Sequence, residues 1–282
     1  LQQGWQERFN LPTELSSIEH SPYRQKCHTR GTDYLKPINS CRLNDSKANW
    51  AVLGDSHGVE LSYSLAKKLK TQKSDALQLT FSGCPPALSF TTNVKGCSAW
   101  LNDAVNYLKS DSAIEHVIIA YRHTAYLYGS PTLAKENNYK KVKPYKVLSD
   151  NETASVDELH NLYWQSVDHL IDELKLSGKN VYLLYPIPEL KTDVTKLIVP
   201  MTIFNQEHQP NFYSNVALYQ TRNYGTIAQL QSINKKYKLR IIDPTRGLCD
   251  AKNCYAVKQN KALYFDNNHL SISGADMVLE NL

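Results

Sequence analysis

Five short apolar bursts constrain the fold of this 282-residue chain more than any other feature. They are WAVLG (50–54), ALQLTF (76–81), HVIIAY (116–121), NVYLLY (180–185) and LRIID (239–243). Each is too short for a core helix and too continuously apolar for a half-solvated strand, so each reads as a strand buried on both faces. Helical spacing fills the gaps: Gly58 to about Lys70, Ser98 to Lys109, Val156 to about Leu176 and Val216 to Tyr237, with a terminal helix from near Ile272. Strands separated by helices of this length form βαβ units. The expected fold is therefore α/β, a three-layer sandwich around a central, mostly parallel, five-stranded sheet.

Residues 1–46 do not share this rhythm. They carry Pro12, Pro22 and Pro37 and read as an irregular N-terminal extension, with the α/β domain at 47–282. Two low-apolar insertions, 122–155 and 186–215, interrupt the domain. In a parallel sheet, ligands sit beyond the carboxyl ends of the strands. That rule puts Gly54–His57, Ser82–Pro86, the segment after Tyr121 and the segment after Tyr185 on one rim.

The charge balance, 32 basic against 27 acidic side chains, is only mildly basic and gives no support for a nucleic-acid partner. The one local excess is KENNYKKVKPYK (Lys135–Lys146), which reads either as a solvated loop or as a docking site for an anionic polymer or membrane surface. No apolar run approaches the roughly 18–20 residues that span a bilayer. The first residues, LQQGWQERFN, lack the basic-then-apolar layout of a signal peptide, so the chain reads as a mature or excised domain. Six cysteines fall in three close pairs, Cys27/Cys41, Cys84/Cys97 and Cys249/Cys254. They suit three disulfides in an oxidising compartment. Reduced core cysteines are the other reading, whereas a metal site is disfavoured because no C-x-x-C or H-x-x-x-H spacing occurs.

Ser56, in NWAVLGDSHGVELS, follows a strand and precedes a helix. Backbone N–H groups at a helix start favour developing negative charge there. A serine needs a base held by a third group to act as a nucleophile. His57 is a poor candidate, because adjacent side chains at a turn diverge. YFDNNHLSISGA, near the other end, presents Asp266 and His269 three apart, a spacing that lets one tight turn aim carboxylate and imidazole together. The competing readings are a helix cap for Asp55 or Ser56 and a surface pair for Asp266 and His269.

VLGDSHG and FDNNHLSISGA resemble the first and last motif blocks of the SGNH (GDSL-like) hydrolase superfamily, whose sheet is flavodoxin-like. GDSH followed by FSGCPP, with the C-terminal Y-F-D-x-x-H-L-S-x-x-G-A, is similar to the periplasmic SGNH domains fused behind membrane acyltransferase-3 domains. Those bacterial proteins O-acetylate surface polysaccharides such as lipopolysaccharide O-antigen. The resemblance implies Ser56 as nucleophile, His269 as general base and acid, Asp266 as its orienter, and Ser56 and Gly83 as oxyanion-hole donors. The block after the third strand departs from the pattern: IIAYRHTAY has no asparagine, which leaves two donors, or Arg122 (ahead of His123) as a third, or Arg122 as a rim salt bridge. The resemblance further implies no bound cofactor and an acetyl group derived from acetyl-CoA through an N-terminal membrane acyltransferase-3 domain. It also implies a polysaccharide acceptor and a position on the periplasmic face of the inner membrane. Tyr126, Tyr128, Tyr139, Tyr145 and Tyr213 fall on the insertions as sugar-stacking candidates. A free carbohydrate acetyl-esterase and a non-catalytic glycan-binding module are the rival readings.

Overall fold

A computed structural model describes residues 13–44, 47–129, 142–198 and 213–282. Six parallel strands form the central sheet: β1 (His28–Thr29), β2 (Ala48–Gly54), β3 (Asp75–Phe81), β4 (His116–Ala120), β5 (Asn180–Leu184) and β6 (Arg240–Ile242). Their order across the sheet is β1-β3-β2-β4-β5-β6. Five of these coincide with the five apolar bursts. The sixth, β1, comes from the N-terminal extension and pairs His28 with Thr80 and Thr29 with Phe81. Two residues without hydrophobic alternation leave no period to read, so the sequence shows five strands where the sheet has six.

Period-two alternation sorts the strand side chains into two apolar layers. Ala51, Leu53, Val117, Ile119, Val181 and Leu183 face one cluster; Val52, Ile118, Ala120, Tyr182 and Leu184 face the other. Both layers are covered, which is why the strands are apolar on both faces. The first layer packs under α3 (Cys97–Ser110) and α5 (Val156–Leu176), with Trp100, Leu101, Tyr163 and Leu170 fully buried. The second packs under α2 (Gly58–Leu69) and α7 (Ile272–Val278), through Leu61, Leu65 and Ala275. Ser155 begins α5 with a capping box: its hydroxyl accepts from the Glu158 N–H, and the Glu158 carboxylate accepts from the Ser155 N–H. Asn215 caps α6 (Val216–Tyr237), and Ser271 caps α7.

The start of the first insertion is not loop. His123–Tyr128 forms a short helix, α4, all of whose residues are buried. Its polar letters conceal this in the sequence, but each finds a partner inside. His123 Nδ1 lies 2.7 Å from the Tyr163 hydroxyl, and the Thr124 hydroxyl donates to Asn223 Oδ1 at 2.6 Å. All three cysteine pairs are disulfide-bonded. Among the described residues, no helix is long and apolar enough to cross a membrane.

Close strand approach fixes the residue before the serine turn. A Cβ on Gly54 would lie 1.9 Å from the Ala120 carbonyl oxygen, the same oxygen that accepts from the Asp55 N–H at 3.2 Å. Gly54→Ala must push β2 and β4 apart. We expect a loss of about 3 kcal/mol, the upper end of ordinary overpacking, measured by urea denaturation.

Candidate active site

The turn after β2 carries Asp55, Ser56 and His57 directly into α2. Its two acidic and hydroxyl side chains do different work, and neither is a simple helix cap. Asp55 is fully buried and collects four donors: the His57 N–H at 2.8 Å, His57 Nδ1 at 3.1 Å, the Arg122 N–H at 2.8 Å and the Tyr126 hydroxyl at 2.7 Å. Burial on its own raises the carboxyl's pKa; the His57 charge and hydrogen bonds, with the two backbone N–H groups, more than offset this and hold it well below the usual range.

Ser56 stays half-buried and points the other way. Its Oγ lies 2.8 Å from Nε2 of His269. His269 Nδ1 lies 2.6 Å from Asp266 Oδ2, while Asp266 Oδ1 accepts from the N–H groups of Asn268 (2.8 Å) and His269 (2.7 Å). A carboxylate only accepts, so in the neutral ring Nδ1 carries the proton and Nε2 is left to accept from the Ser56 hydroxyl. The three-residue spacing works as the sequence suggests: the Asp266 turn folds back on the His269 N–H and presents the second oxygen to the ring. Burial opposes ionisation of Asp266, but the His269 hydrogen bond and charge, with the two N–H groups, leave its pKa well below normal. Burial and the neighbouring His57 depress the His269 pKa below the ordinary 6.5, against the upward pull of Asp266.

Rings grip the imidazole on both faces. His57 stacks on His269 at 4.4 Å and 25°, and Phe265 stacks at 5.2 Å and 5°. His57 is therefore a neighbour of the base, with its Nδ1 committed to Asp55, and does not reach Ser56 as a base of its own.

Gly83, in the loop after β3, has φ +62, a left-handed conformation that favours glycine. The Cys84–Cys97 disulfide fastens this loop to the start of α3. The Lys146 ammonium donates to the Gly83 carbonyl at 2.7 Å and lies over the rings of Tyr126 and Tyr145. Burial lowers the Lys146 pKa.

Arg122 takes the salt-bridge role rather than that of a free donor. Its Nε donates to Glu189 Oε1 at 2.7 Å, its backbone N–H serves Asp55, and Arg222 binds the other Glu189 oxygen at 2.8 Å. The rim arginine thus pairs with a carboxylate from the segment after β5, at a narrow cleft beside His57 lined also by Tyr121, His123 and Ile187. Of the stacking candidates, Tyr126 and Tyr128 are buried, Tyr126 because its hydroxyl is needed at Asp55, whereas Tyr145 is 55% exposed. Tyr139, most of the lysine-rich stretch and the side chain of Tyr213 lie outside the described residues. Sequence reasoning missed Glu189, Lys146 and the hub role of Asp55. Asp55 carried a signal that was absorbed into the cap reading, Lys146 one that was absorbed into the lysine-rich stretch, and Glu189 none.

The family model described as "SGNH domain (fused to AT3 domains)" matches residues 26–282. The chain belongs to this SGNH family. Among solved structures, it is similar to the periplasmic domain of a Salmonella ser. Paratyphi A lipopolysaccharide acetyltransferase, at 17% identity and a TM-score of 0.59, over 90% of this chain and 88% of that one. A putative acylhydrolase from Bacteroides fragilis is 12% identical with a TM-score of 0.42, over 93% of this chain and 91% of that one. Est24, a carbohydrate acetylesterase from Sinorhizobium meliloti, is 10% identical with a TM-score of 0.45, over 82% and 94%. No curated protein matches the sequence. At these identities the structural likeness speaks for the SGNH fold alone.

The Asp55 cluster makes a direct prediction for this SGNH domain. Tyr126→Phe removes one hydrogen bond to a buried charge and is expected to lower stability by about 1.5–3 kcal/mol, measured by chemical denaturation.

Proposed function

We propose that this SGNH domain is a serine-dependent O-acyltransferase that passes an acetyl group to a sugar hydroxyl of a bacterial surface polysaccharide such as lipopolysaccharide O-antigen. The observation that carries this reading is the line of contacts from Ser56 Oγ to His269 Nε2 (2.8 Å) and from His269 Nδ1 to Asp266 (2.6 Å). His269 takes the Ser56 proton as the hydroxyl oxygen attacks the acyl carbonyl. Asp266 stabilises the imidazolium that results. The backbone N–H groups of Ser56 and Gly83 receive the oxyanion. When the tetrahedral intermediate collapses, His269 returns the proton to the leaving group, and a second attack, assisted by the same ring, frees the serine.

The oxygen that makes the second attack distinguishes a transferase from an esterase, since both use one triad. The family's fusion to AT3 domains supports transfer: a membrane domain N-terminal in the full-length chain supplies acetyl groups that originate in acetyl-CoA. The same fusion supports a location on the periplasmic face of the inner membrane, and three disulfides agree with an oxidising compartment. The exposed Tyr145, whose ring lies under the Lys146 ammonium, offers the acceptor a ring to stack on.

Two measurements test the reading. With p-nitrophenyl acetate as donor, Ser56→Ala and His269→Ala should each lose roughly 10⁴-fold or more in kcat, as triad members do. His57→Ala, which removes a stacking neighbour and one ring donor to Asp55 but not the base, should lose about 10–100-fold. Full activity in Ser56→Ala, or a His57→Ala loss equal to that of His269→Ala, defeats the assignment. Addition of O-antigen oligosaccharide should yield acetylated sugar by mass spectrometry. Exclusive release of acetate points to the esterase. The base must be neutral to act, so kcat/KM should rise with pH through a midpoint below 6.5, following the depressed His269 pKa.

A further inference from the structure

The segment ahead of the α/β domain reaches the reacting groups through one side chain. Arg24 sits in a one-turn helix, α1 (Arg24–Cys27), two residues before the span matched by the family model begins. Its Nε donates to Glu60 Oε1 at 3.1 Å, and one Nη donates to Glu60 Oε2 at 3.1 Å. That same Nη donates to the carbonyl oxygen of Ser56 at 3.2 Å. The face of the guanidinium covers the Phe265 ring, 4.9 Å from its centroid. Phe265 is the ring that stacks on His269. One planar group therefore touches the nucleophile's own peptide and the aromatic backing of the base.

Neighbouring bonds show that the whole segment runs as a strap between these two parts of the site. Glu60, 1% exposed in the first turn of α2, also accepts from the Ser21 N–H at 3.2 Å. The Ser17 hydroxyl accepts from the Ala262 N–H at 2.7 Å, and the Glu19 carbonyl accepts from the Ile272 N–H at 3.0 Å. Ala262 and Ile272 flank the turn that carries Asp266 and His269. Ser21 and Arg24 hold the helix that follows Ser56.

We infer that Arg24 is a positioning residue that locks the Ser56 turn against the His269 turn, so that the segment ahead of the α/β domain completes the active site. The inference rests on the Ser56–His269–Asp266 reading. Burying a carboxylate such as Glu60 is expensive, and an apolar residue on that helix face would suit stability at least as well. The pair makes sense as a geometric device: a fork that fixes the guanidinium plane, which in turn fixes the distance between a carbonyl and a ring. Only arginine offers five donors in a plane together with a face that stacks. The serine and histidine turns come from opposite ends of the chain. The helices that follow them meet through the Ser64 hydroxyl and the Ile272 carbonyl and through the Lys67–Asp276 pair. At the turns themselves the Arg24 bridge adds to the 2.8 Å contact and the His57 ring.

The test uses the 282-residue chain with p-nitrophenyl acetate, and two variants. Arg24→Met with Glu60→Gln removes the fork without leaving a buried charge unpaired. Arg24→Lys keeps the charge and loses the fork. The double variant should lose about 10–100-fold in kcat, with KM within about twofold, because misplacement of reacting groups acts on the chemical step. Its pH profile supplies a readout that a purely structural role leaves still. The charged and titratable groups facing His269 are Asp266, His57, Glu60, His28 and Arg24, and Arg24 is among those that oppose its protonation. Glu60 also faces His269 and its charge acts the opposite way, so Glu60→Gln alone is the reference. Against it, the acid limb of kcat/KM should move to higher pH in the double variant. In Arg24→Lys the limb should stay where the parent has it, although kcat still falls several-fold. A folded double variant with kcat within twofold of the parent and an acid limb unmoved from that of Glu60→Gln overturns the inference. Should the double variant fail to fold, an unchanged kcat in Arg24→Lys overturns it. Ser56→Ala is run alongside: if it retains full turnover, the triad reading has failed, whereas if it is inactive and the Arg24 variants are normal, only the positioning role has failed.

Discussion

A carboxylate with no access to water must find its donors inside the protein, and the site is arranged around that requirement at Asp55. Its four donors come from its own turn, from the end of β4 and from α4. Binding them fixes the path of the chain after β2, which leaves Ser56 as the residue that projects from the turn. It also draws α4 under the rim and holds Arg122, between β4 and α4, in place. A buried charge that is fully hydrogen-bonded is rigid, because breaking any one contact leaves an uncompensated ion. The serine turn inherits that rigidity.

The two Asp–His pairs of the site look alike in sequence and differ in what their carboxylates have left to offer. Asp55 and Asp266 each lie within three residues of a histidine and bond its Nδ1. Asp55 spends its oxygens on four donors that include the Tyr126 hydroxyl and the N–H of Arg122 at the start of α4, so its His57 is a structural partner. Asp266 satisfies one oxygen with its own turn and keeps the other for a single ring. Its histidine is half-buried and sits beside the serine. With the rings stacked at 4.4 Å, a charge on His57 disfavours one on His269, which keeps the base in the neutral form that accepts a proton.

The strands and long helices were legible because each is a periodic object: the α5 and α6 boundaries follow directly from helical spacing, and the Ser155 cap with Glu158 marks a start in plain letters. Ser56, Asp266 and His269 were legible because short-range chemistry and spacing point to them, and the structure brings all three together. What escaped were features whose cause lies elsewhere in the chain. β1 exists because β3 has a free edge, not because HT favours a strand. α4 is buried because Asp55, Tyr163 and Asn223 supply partners to letters that otherwise read as loop. Arg122 is spoken for by Glu189, 67 residues away, which no local pattern reveals.

Covalent bonds stand where the sheet cannot hold the rim. Six parallel strands align the loops at one end, but loops themselves carry few backbone bonds to the sheet, and their ends are free to wander. Each disulfide fixes one such place. Cys27–Cys41 brackets β1 at the edge strand next to the Arg24 strap. Cys84–Cys97 holds the residue after Gly83. Cys249–Cys254 closes the turn after β6. The sequence separations are short, 14, 13 and 5 residues, so loop-closure entropy caps the stabilisation of the first two near about 3 kcal/mol and of the third below that. Three short loops stabilise a 282-residue chain less than three longer ones would. Their placement is better explained by local order: they stiffen the edge strand, the Gly83 turn and the C-terminal loop region, the parts of the rim that sheet register leaves loose.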